Sequence, residues 1–289
     1  MVQDLTPRTM WEAVERYHQL CYWAPEVRET GTAAGLKGFW MNYFATRAAP
    51  LGVVPAEAVE SLFFYYAPHR VHRAIPDAWT FADPAEILQA RYRGMDQALR
   101  RELAEHVEAP EVRAALTIVR AAVDAAPAMG RTLGAAWRAL PWPEPDHLAL
   151  WHGCTVLREL RSGSHLIALA AANLDGCESV VSQVAADEAP IAWIEEEAGW
   201  SADEAAAARE RLQRRGWLDD AGWATDAGRA GRQAIEAMTD ELDRRHWESI
   251  GDDACRALLD ALGVLNEHLP KDDQLDWQDI YGPNRATGE

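Results

Sequence analysis

Residues 190–247 decide the fold, and they read PIAWIEEEAGWSADEAAAARERLQRRGWLDDAGWATDAGRAGRQAIEAMTDELDRRHW. A short apolar and acidic helix over 191–198 comes first, and Ser201 is a typical N-cap for a second helix that ends at Gly216. Residues 217–225 flank the turn sequence DAG, which predicts two short strands. The order of helix, turn, helix, hairpin and long helix predicts a winged helix-turn-helix.

Three prolines within residues 141–145 form the clearest break in the chain, because such a segment cannot continue a helix. We therefore predict a helical domain over 1–140, a winged-helix domain over 146–250, and a C-terminal helix with an acidic tail over 251–289. Outside the predicted hairpin the apolar residues recur at helical spacing, so the expected fold class is mainly α.

The order of helix, helix, Trp-bearing turn and long helix occurs twice, in residues 36–104 and again in residues 165–248. Such a repeat is typical of a divergent internal duplication. It predicts a degenerate winged-helix lobe within the helical domain and a cleft between two facing lobes.

The 289-residue chain carries a formal net charge of −18, and this acidity opposes nucleic acid and anionic membranes as partners. No apolar run reaches the roughly 20 residues that span a bilayer, and the first residues lack the regions of a signal peptide. The cysteines are widely spaced, which fits reduced thiols rather than a metal clip. We therefore expect a cytoplasmic protein with no membrane contact and no metal site.

The second helix of the predicted winged unit would contact DNA, and it begins SADEAAAA at Ser201. Recognition helices read base edges with their N-terminal part, while neighbouring Lys or Arg side chains contact phosphates. Here acidic and small residues occupy that part of the helix, and Asp219 and Asp220 occupy the tip of the wing. DNA binding is therefore not expected, and a transcriptional regulator is kept as an alternative function.

The helix predicted over 147–161 has two different faces. One face is apolar and carries Leu150, Cys154 and Leu157. The opposite face carries His152 and Glu159, which are two turns and about 10 Å apart at the usual rise of a helix. A molecule bound along this face would bring both side chains to one site. The alternative is a solvated polar face.

Residues 162–165 read SGSH and predict a small-residue turn, with His165 at the start of the next helix. Arg158 and Arg161 precede this turn. Serine hydroxyls and backbone N–H groups at a helix start, with two arginines beside them, are suited to a carboxylate or a phosphate. A simple helix cap with surface arginines is the alternative.

A set of short motifs along nearly the whole chain resembles the SalK-like actinobacterial helix-turn-helix family. The resemblance implies a helical fold with a helix-turn-helix and a link to specialised metabolism, and it implies no particular reaction. The usual Gly-Asp-Gly turn of that family is replaced here by Ser162-Gly163-Ser164. The motifs are Gly38-Phe39-Trp40, Arg47-Ala48-Ala49-Pro50-Leu51-Gly52, Ile75-Pro76-Asp77-Ala78-Trp79, Leu150-Trp151-His152, Leu157-Arg158-Glu159, Arg161, His165, the hairpin at 217–225, Gly228, Glu236 and Thr239-Asp240.

These patterns together predict a small-molecule-binding protein whose ligand occupies the cleft between the lobes. An enzyme acting on a small metabolite in the same cleft is an alternative, with His152 or His165 as general base and Glu159 to orient it. No cofactor is indicated, and a homodimer is left open. Aromatic walls and a few polar groups would hold the ligand, and the residues predicted for this site are Trp40, Phe44, Arg47, Tyr65, Trp151, His152, Glu159, Arg161 and His165.

Overall fold

The computed structural model describes residues 5–270, and within this range it is mainly α-helical and contains no β-strand. None of its helices is long and apolar enough to cross a membrane. Residues 271–289, most of the predicted acidic tail, lie outside this range. The α-helices are α1 (Pro7–His18), α2 (Leu20–Trp23), α3 (Pro25–Ala33), α4 (Gly38–Ala48), α5 (Ala56–Leu62), α6 (Pro68–His72), α7 (Ala78–Phe81), α8 (Pro84–Leu103), α9 (Pro110–Ala125), α10 (Thr132–Arg138), α11 (Asp146–Ala171), α12 (Gly176–Ala185), α13 (Ala202–Arg214), α14 (Asp226–Ile250) and α15 (Asp252–Asn266).

Local capping signals start four of these helices. The side chains of Thr6, Asp83, Asp175 and Ser201 accept hydrogen bonds from backbone N–H groups at the starts of α1, α8, α12 and α13. In each case the side chain at the third helical position bonds back to the cap, which completes a capping box. This exchange involves only near neighbours in sequence, so these helix starts form where the local pattern predicts them.

Buried apolar side chains form two clusters. The larger cluster draws on α1 to α10, the first half of α11, the end of α14 and α15, and it contains Phe44, Trp137 and Trp151. The smaller cluster draws on the end of α11 and on α12, α13 and α14, with Val180 and Leu212 among its members. The last helix, α15, thus returns to the larger cluster.

Helix α11 contributes to both clusters. Its residues between Leu148 and Leu160 pack in the larger one, whereas Ala168 and Leu169 pack in the smaller one. The step from one cluster to the other therefore falls within α11, beyond the proline-rich segment at 141–145. The predicted division into domains at that segment stays a prediction.

The first helix of the stretch 190–247 is a π-helix, Trp193–Glu197, where an α-helix was expected over 191–198. The N–H of Ala198 donates to the carbonyl of Trp193, five residues back, across 2.8 Å. Single π-turns of this kind are rare and occur often at functional sites. Here the π-helix lies directly before α13.

The described chain forms no β-strand over 217–225, where a two-stranded hairpin was predicted. The described chain has a single isolated antiparallel bridge at this place, between Leu218 and Ala224. The segment between α13, which ends at Arg214, and α14, which begins at Asp226, therefore contains a tight turn closed by one bridge.

The turn predicted at 162–165 does not form, and α11 continues through it to Ala171. The hydroxyl of Ser164 donates to the carbonyl of Leu160 (3.3 Å) and accepts from Nε of Arg131 (2.8 Å). These contacts hold the serine inside the helix, so tertiary packing overrides its local preference for turns. The prediction of a helix start at His165, which was expected to bind an anion, is therefore wrong.

Candidate functional site

A cleft of about 840 Å³ opens beside the middle of α11, where that helix passes from one cluster to the other. Its walls come from α1, α4, the end of α5 and the chain after it, α11, the end of α12 and the chain after it, the π-helix and α14. Helix α11 presents Arg158, Arg161, Ser162 and His165 to the cleft. These positions lie three, four and seven residues apart, which places them on one side of a helix. These four residues in the middle of α11 form the polar floor of the cleft.

Arg47 of α4 reaches this floor and forms a buried ion pair with Glu159. Its Nε and Nη2 atoms donate to the two carboxylate oxygens, each across 3.0 Å, while the side chains are only 7% and 1% exposed. Burial alone raises the pKa of Glu159, but Arg47 and Arg158 outweigh burial and hold that pKa below its usual value. Glu159 is therefore a fixed negative charge directly beneath the cleft.

Arg158 lies beside this pair and lines the cleft itself. Its Nη1 atom donates to Glu159 (3.0 Å), and its Nε atom lies 3.3 Å from a carboxylate oxygen of Glu15 in α1. Burial raises the pKa of Glu15. Two carboxylates therefore hold the guanidinium group of Arg158 in position from behind, which leaves little freedom in its side chain.

Arg161 connects the floor to α14. Its guanidinium group lies 2.6 Å from a carboxylate oxygen of Asp240 and 3.4 Å from one of Asp243. Burial raises the pKa of Asp243 to about 6, against the opposing effect of Arg161. Asp240 lines the cleft, whereas Asp243 lies buried behind it. Arg161 therefore acts as a bridge between two walls.

His165 presents a neutral imidazole to the cleft. Its Nδ1 atom lies 2.9 Å from the hydroxyl of Thr239, and that hydroxyl donates to the carbonyl of Ile235 across 2.9 Å. When the hydroxyl donates to Ile235, Nδ1 is the donor to Thr239. The lone pair of Nε2 is then a hydrogen-bond acceptor. Burial, together with the nearby Arg232 and Arg161, lowers the pKa of His165 to about 3, so the ring stays neutral.

An aromatic wall faces this histidine. The ring centroid of Tyr65 lies 6.2 Å from that of His165 and 5.6 Å from that of Trp193 in the π-helix. The indole N–H of Trp200 donates to the carbonyl of Tyr65 across 2.8 Å. These distances are typical of aromatic contacts. The wall therefore ties the chain after α5 to the segment that leads into α13.

The structure brings several of the predicted site residues together. Arg47, Tyr65, Arg161 and His165 line the cleft, and Glu159 lies beneath it through its pair with Arg47. They come from three different parts of the chain: α4, the segment after α5, and α11.

Trp40 and Phe44 lie outside the lining of the cleft. Phe44 is fully buried, and its ring contacts those of Trp40 (5.9 Å) and Tyr66 (5.1 Å). Tyr43 and Tyr66 do line the cleft, and they belong to the same aromatic cluster. Trp40 and Phe44 thus support the wall from behind.

His152 and Trp151 are fully buried and do not line the cleft either. Nδ1 of His152 lies 2.8 Å from the hydroxyl of Tyr92, and its ring packs on Trp142 at 5.0 Å. His152 and Glu159 therefore do not converge on one open site, although they share a helix face. The alternative of a solvated polar face is also wrong, because α11 is surrounded by other helices at both positions.

Several residues that line the cleft were not expected from the sequence. They are supplied mainly by α1 and α14, at opposite ends of the chain, and only packing brings them together. Glu236 and Thr239-Asp240 belong to the motifs that carry the family resemblance, and this was the available signal. The main unexpected residues are Arg8, Trp11, Trp193, Arg232, Glu236, Thr239 and Asp240.

The surface of α13 differs from that of a DNA-reading helix. Its start exposes Ser201, Asp203 and Glu204. Later in the helix, Arg211 pairs with Asp175 (2.6 Å) and Glu178 (2.8 Å) of the neighbouring helix. The end where base edges would be read is therefore acidic, and this arginine of α13 is engaged within the protein.

The fold and the cleft define a mainly helical protein that joins a helix-turn-helix segment to an arginine-lined and aromatic-lined cavity. A family model described as a helix-turn-helix family matches residues 7–275. The chain belongs to this helix-turn-helix family. No curated protein and no solved structure matches the chain.

Proposed function

We propose that this chain is a small-molecule-binding protein of winged-helix architecture, that its ligand occupies the cleft beside α11, and that it does not bind DNA. The observation that carries the proposal is the set of buried polar groups held in fixed positions around an 840 Å³ cleft. A link to specialised metabolism follows from the sequence resemblance alone. A duplicated winged unit in residues 36–104 stays a prediction.

The size and lining of the cleft support ligand binding. Small-molecule sites are clefts of roughly 300 to 1,000 Å³ with apolar walls and a few oriented polar groups. Here Tyr65 and Trp193 supply apolar wall, while Arg47 and Arg161 are held by buried or half-buried carboxylates. Polar groups fixed before binding reduce the entropy that a ligand must lose on ordering its site.

The charge of the chain supports the proposal that it does not bind DNA. A DNA-binding surface neutralises phosphates with Lys and Arg, and its affinity falls steeply with salt. The start of α13 exposes Asp203 and Glu204, and Asp219 and Asp220 are exposed after it. With a net charge of −18 on the whole chain, these surfaces repel a phosphate backbone.

The test is a thermal-shift screen of a broad metabolite panel, repeated on a variant in which the cleft is filled. Ala237 is an exposed residue of α14 that lines the cleft, so Ala237→Trp fills the cavity without disturbing the core. Ala234→Trp, at an exposed position of the same helix outside the lining, is the matched control. We expect compounds that stabilise the wild type and the control but not Ala237→Trp.

A panel in which every stabilising compound acts equally on Ala237→Trp would contradict the cleft as the site. For DNA, we expect no mobility shift of a duplex from the upstream region of the gene at physiological salt. A sub-micromolar, salt-sensitive shift would favour a transcriptional regulator, the function to which membership of a helix-turn-helix family points.

A catalytic function in the same cleft is a second candidate, and the neutral Nε2 atom of His165 favours it. A neutral imidazole can accept a proton from a bound molecule, but the pKa of about 3 makes His165 a weak base that accepts a proton only from an acidic group. Glu159 is committed to Arg47, so it cannot serve as that acceptor. Mass spectrometry of each stabilising compound after incubation with the protein distinguishes an enzyme, which changes the compound, from a binder, which does not.

A further inference from the structure

The imidazole of His165 offers an unused hydrogen-bonding atom to the cleft. Its side chain lines the cleft and is 15% exposed, and its Nδ1 atom faces α14, 2.9 Å from the hydroxyl of Thr239. The Nε2 atom, on the other side of the ring, has no hydrogen-bond partner among residues 5–270. In contrast to Nε2 of His152, which is completely buried, it keeps accessible surface. A molecule in the cleft can therefore reach this atom.

The contacts of Thr239 favour one position for the ring proton. Its hydroxyl oxygen lies 2.9 Å both from Nδ1 of His165 and from the carbonyl oxygen of Ile235, and a hydroxyl has a single proton. Both contacts are hydrogen bonds only when Nδ1–H donates to the hydroxyl and the hydroxyl donates to the carbonyl. The carboxylate of Glu236, 3.9 Å from Nδ1, favours a proton on the same nitrogen. Nε2 then carries a lone pair and requires a donor.

The arginines that line the cleft are already paired within the protein. Arg8 lies 2.8 Å from Glu236, and Arg232 lies 2.9 Å from Glu188 and 3.4 Å from Glu236. The other three lining arginines are bound by carboxylates of α1, α11 and α14. Every guanidinium group in the lining thus has a carboxylate oxygen within 3.4 Å, and six carboxylates surround five arginines.

This balance of charge favours a neutral ligand. An anion would have to displace one of the protein's own carboxylates, and a cation would approach five arginines. An ion that enters such a site loses its hydration without gaining a free counter-ion, which costs free energy. A neutral molecule that brings its own hydrogen-bond donor avoids this cost and satisfies Nε2 of His165.

Aromatic rings lie beside this nitrogen. The ring centroid of Tyr65 is 6.2 Å from that of His165 and 5.6 Å from that of Trp193, and the ring planes are tilted by 34° and 44°. The indole of Trp11 and the ring of Tyr66 line the cleft as well. Aromatic side chains pack favourably on a planar ring, with a gain beyond that of the area they bury. A flat ligand held at Nε2 is within reach of this wall.

We infer that the cleft binds a neutral aromatic molecule through an N–H or O–H group that donates to Nε2 of His165, with the ring of the molecule against Tyr65 and Trp193. The inference rests on the proposed function and names the chemical class of its ligand. It makes His165 the residue that selects for a hydrogen-bond donor.

The first test compares indole with benzofuran by isothermal titration calorimetry near neutral pH. The two molecules have nearly the same shape, but benzofuran has an oxygen where indole has its N–H group. Benzofuran leaves Nε2 of His165 without a donor, so it should bind about fivefold more weakly than indole. Equal affinities for the two probes would overturn the inferred donor.

The second test concerns charge and compares indole-5-carboxamide with indole-5-carboxylate. These probes match in size and both keep the indole N–H group, but only the carboxylate is ionised near neutral pH. Because no guanidinium group of the lining is free to pair with it, the carboxylate should bind about tenfold or more weakly than the carboxamide. A carboxylate that binds as tightly as the carboxamide, or more tightly, would show that the ligand is not neutral.

The decisive variant is His165→Phe, with His69→Phe as the matched control. His165→Phe keeps an aromatic ring and removes the acceptor, so indole and benzofuran should bind about equally. His69 is exposed and does not line the cleft, so its variant should keep the preference of the wild type. Circular dichroism and thermal melting confirm that each variant is folded. The comparison of indole with benzofuran on the wild type does not depend on the folding of either variant.

Nuclear magnetic resonance of protein labelled with ¹⁵N in its histidines reports the ring proton directly. A ring nitrogen that carries a proton and one that does not have different chemical shifts, and the spectrum of His165→Phe identifies the signals of His165. We expect Nε2 of His165 to be unprotonated and to shift on addition of indole more than on addition of benzofuran. A proton on Nε2 of the free protein would contradict the inferred acceptor.

Failure of the inference and failure of the proposed function are distinguishable. If the preference for indole is absent in the wild type or persists in His165→Phe, the inferred ligand class is wrong while the cleft still binds small molecules. If none of the four probes binds but other compounds lose binding in Ala237→Trp, the class is again wrong and the proposed function stands. If no compound shows an effect of Ala237→Trp, both are wrong.

Discussion

Nε and Nη2 of Arg47 donate to the two carboxylate oxygens of Glu159, each across 3.0 Å, although the residues are 112 positions apart in the chain. The guanidinium group of Arg47 also lies 4.5 Å from the ring centroid of Phe63 and contacts the hydroxyl of Tyr43. This pair joins α4 to the centre of α11. It is the point at which the aromatic wall and the polar floor of the cleft meet.

Removing one partner of this pair should destabilise the protein strongly. In Glu159→Gln, Arg47 and Arg158 lose a buried negative charge, and breaking a buried pair in this way costs about 3 to 5 kcal/mol. Urea denaturation of the variant and wild type measures the change. The double variant Arg47→Met, Glu159→Leu leaves no unpaired charge at this pair and should be less destabilised than Glu159→Gln.

The control for this experiment is Glu210→Gln, which breaks the exposed pair with Arg214. Solvent screens such pairs, so the free energy of unfolding should not change measurably. An unfolding free energy of Glu159→Gln equal to that of the control would show that the Arg47–Glu159 pair is not buried in solution.

Buried histidines should make the protein acid-labile. Burial lowers the pKa of His152 to about 4 and those of His165 and His246 to about 3. In the unfolded chain histidines titrate near about 6.5, so below this pH the unfolded state binds more protons and stability falls as the pH is lowered. Each histidine contributes a slope of up to about 1.4 kcal/mol per pH unit.

Unfolding free energies measured by urea denaturation from neutral pH down to about pH 4 test this slope. His246→Phe keeps the ring contact with Trp247 (4.5 Å) and removes one titrating group. The slope of unfolding free energy against pH should therefore decrease by the contribution of up to one proton. His69→Gln, at an exposed site, is the control. Stability that is constant over this range would contradict the burial of these histidines.

Asp243 should act in the opposite direction. Burial raises its pKa to about 6 from 3.8, so the folded state takes up a proton first and the contribution of Asp243 to stability falls as the pH rises from about 4 to about 6. The Asp243→Asn variant has no carboxyl group at this position, so its stability does not fall for this reason as the pH rises. Relative to the wild type, the variant should therefore gain on the order of 1 kcal/mol between about pH 5 and about pH 8.

Chemical denaturation of wild type and Asp243→Asn at the two pH values measures this difference, whatever the variant's absolute stability. Asp240 remains to pair with Arg161 in the variant, so the protein is expected to fold. A difference between the proteins that does not vary with pH would show that the carboxyl group of Asp243 is solvated.

The contact between Trp217 and α14 offers a test of the packing around the helix-turn-helix segment. A Cβ atom added at Gly231 would lie 2.2 Å from a ring carbon of Trp217, so Gly231→Ala should destabilise the protein by about 1 to 3 kcal/mol. Gly263 of α15 has open space at the same position. Gly263→Ala should instead stabilise the protein by up to about 1 kcal/mol, because alanine is the better helix former.

Thermal melting of the two alanine variants reports both effects. Their opposite signs separate a steric clash from the general effect of the substitution. Equal stabilisation by both changes would place Trp217 away from α14.

The helix order and many helix ends were determined by the sequence itself. The capping boxes at Asp83, Asp175 and Ser201 involve residues only three positions apart, so their effect does not depend on the rest of the fold. The acidic start of α13 is equally a property of the sequence, and it predicted a surface unsuited to DNA.

Only the tertiary structure decided which polar residues meet. Arg47, Tyr65, Arg161 and His165 were predicted as site residues from local patterns, but Arg232 joins them only because α14 packs across α11. The same packing keeps α11 helical through a sequence that predicts a turn. Burial and ion pairing depend on contacts between residues far apart in the chain, whereas caps and turns depend on neighbours, and this difference separates what could be read from the sequence from what could not.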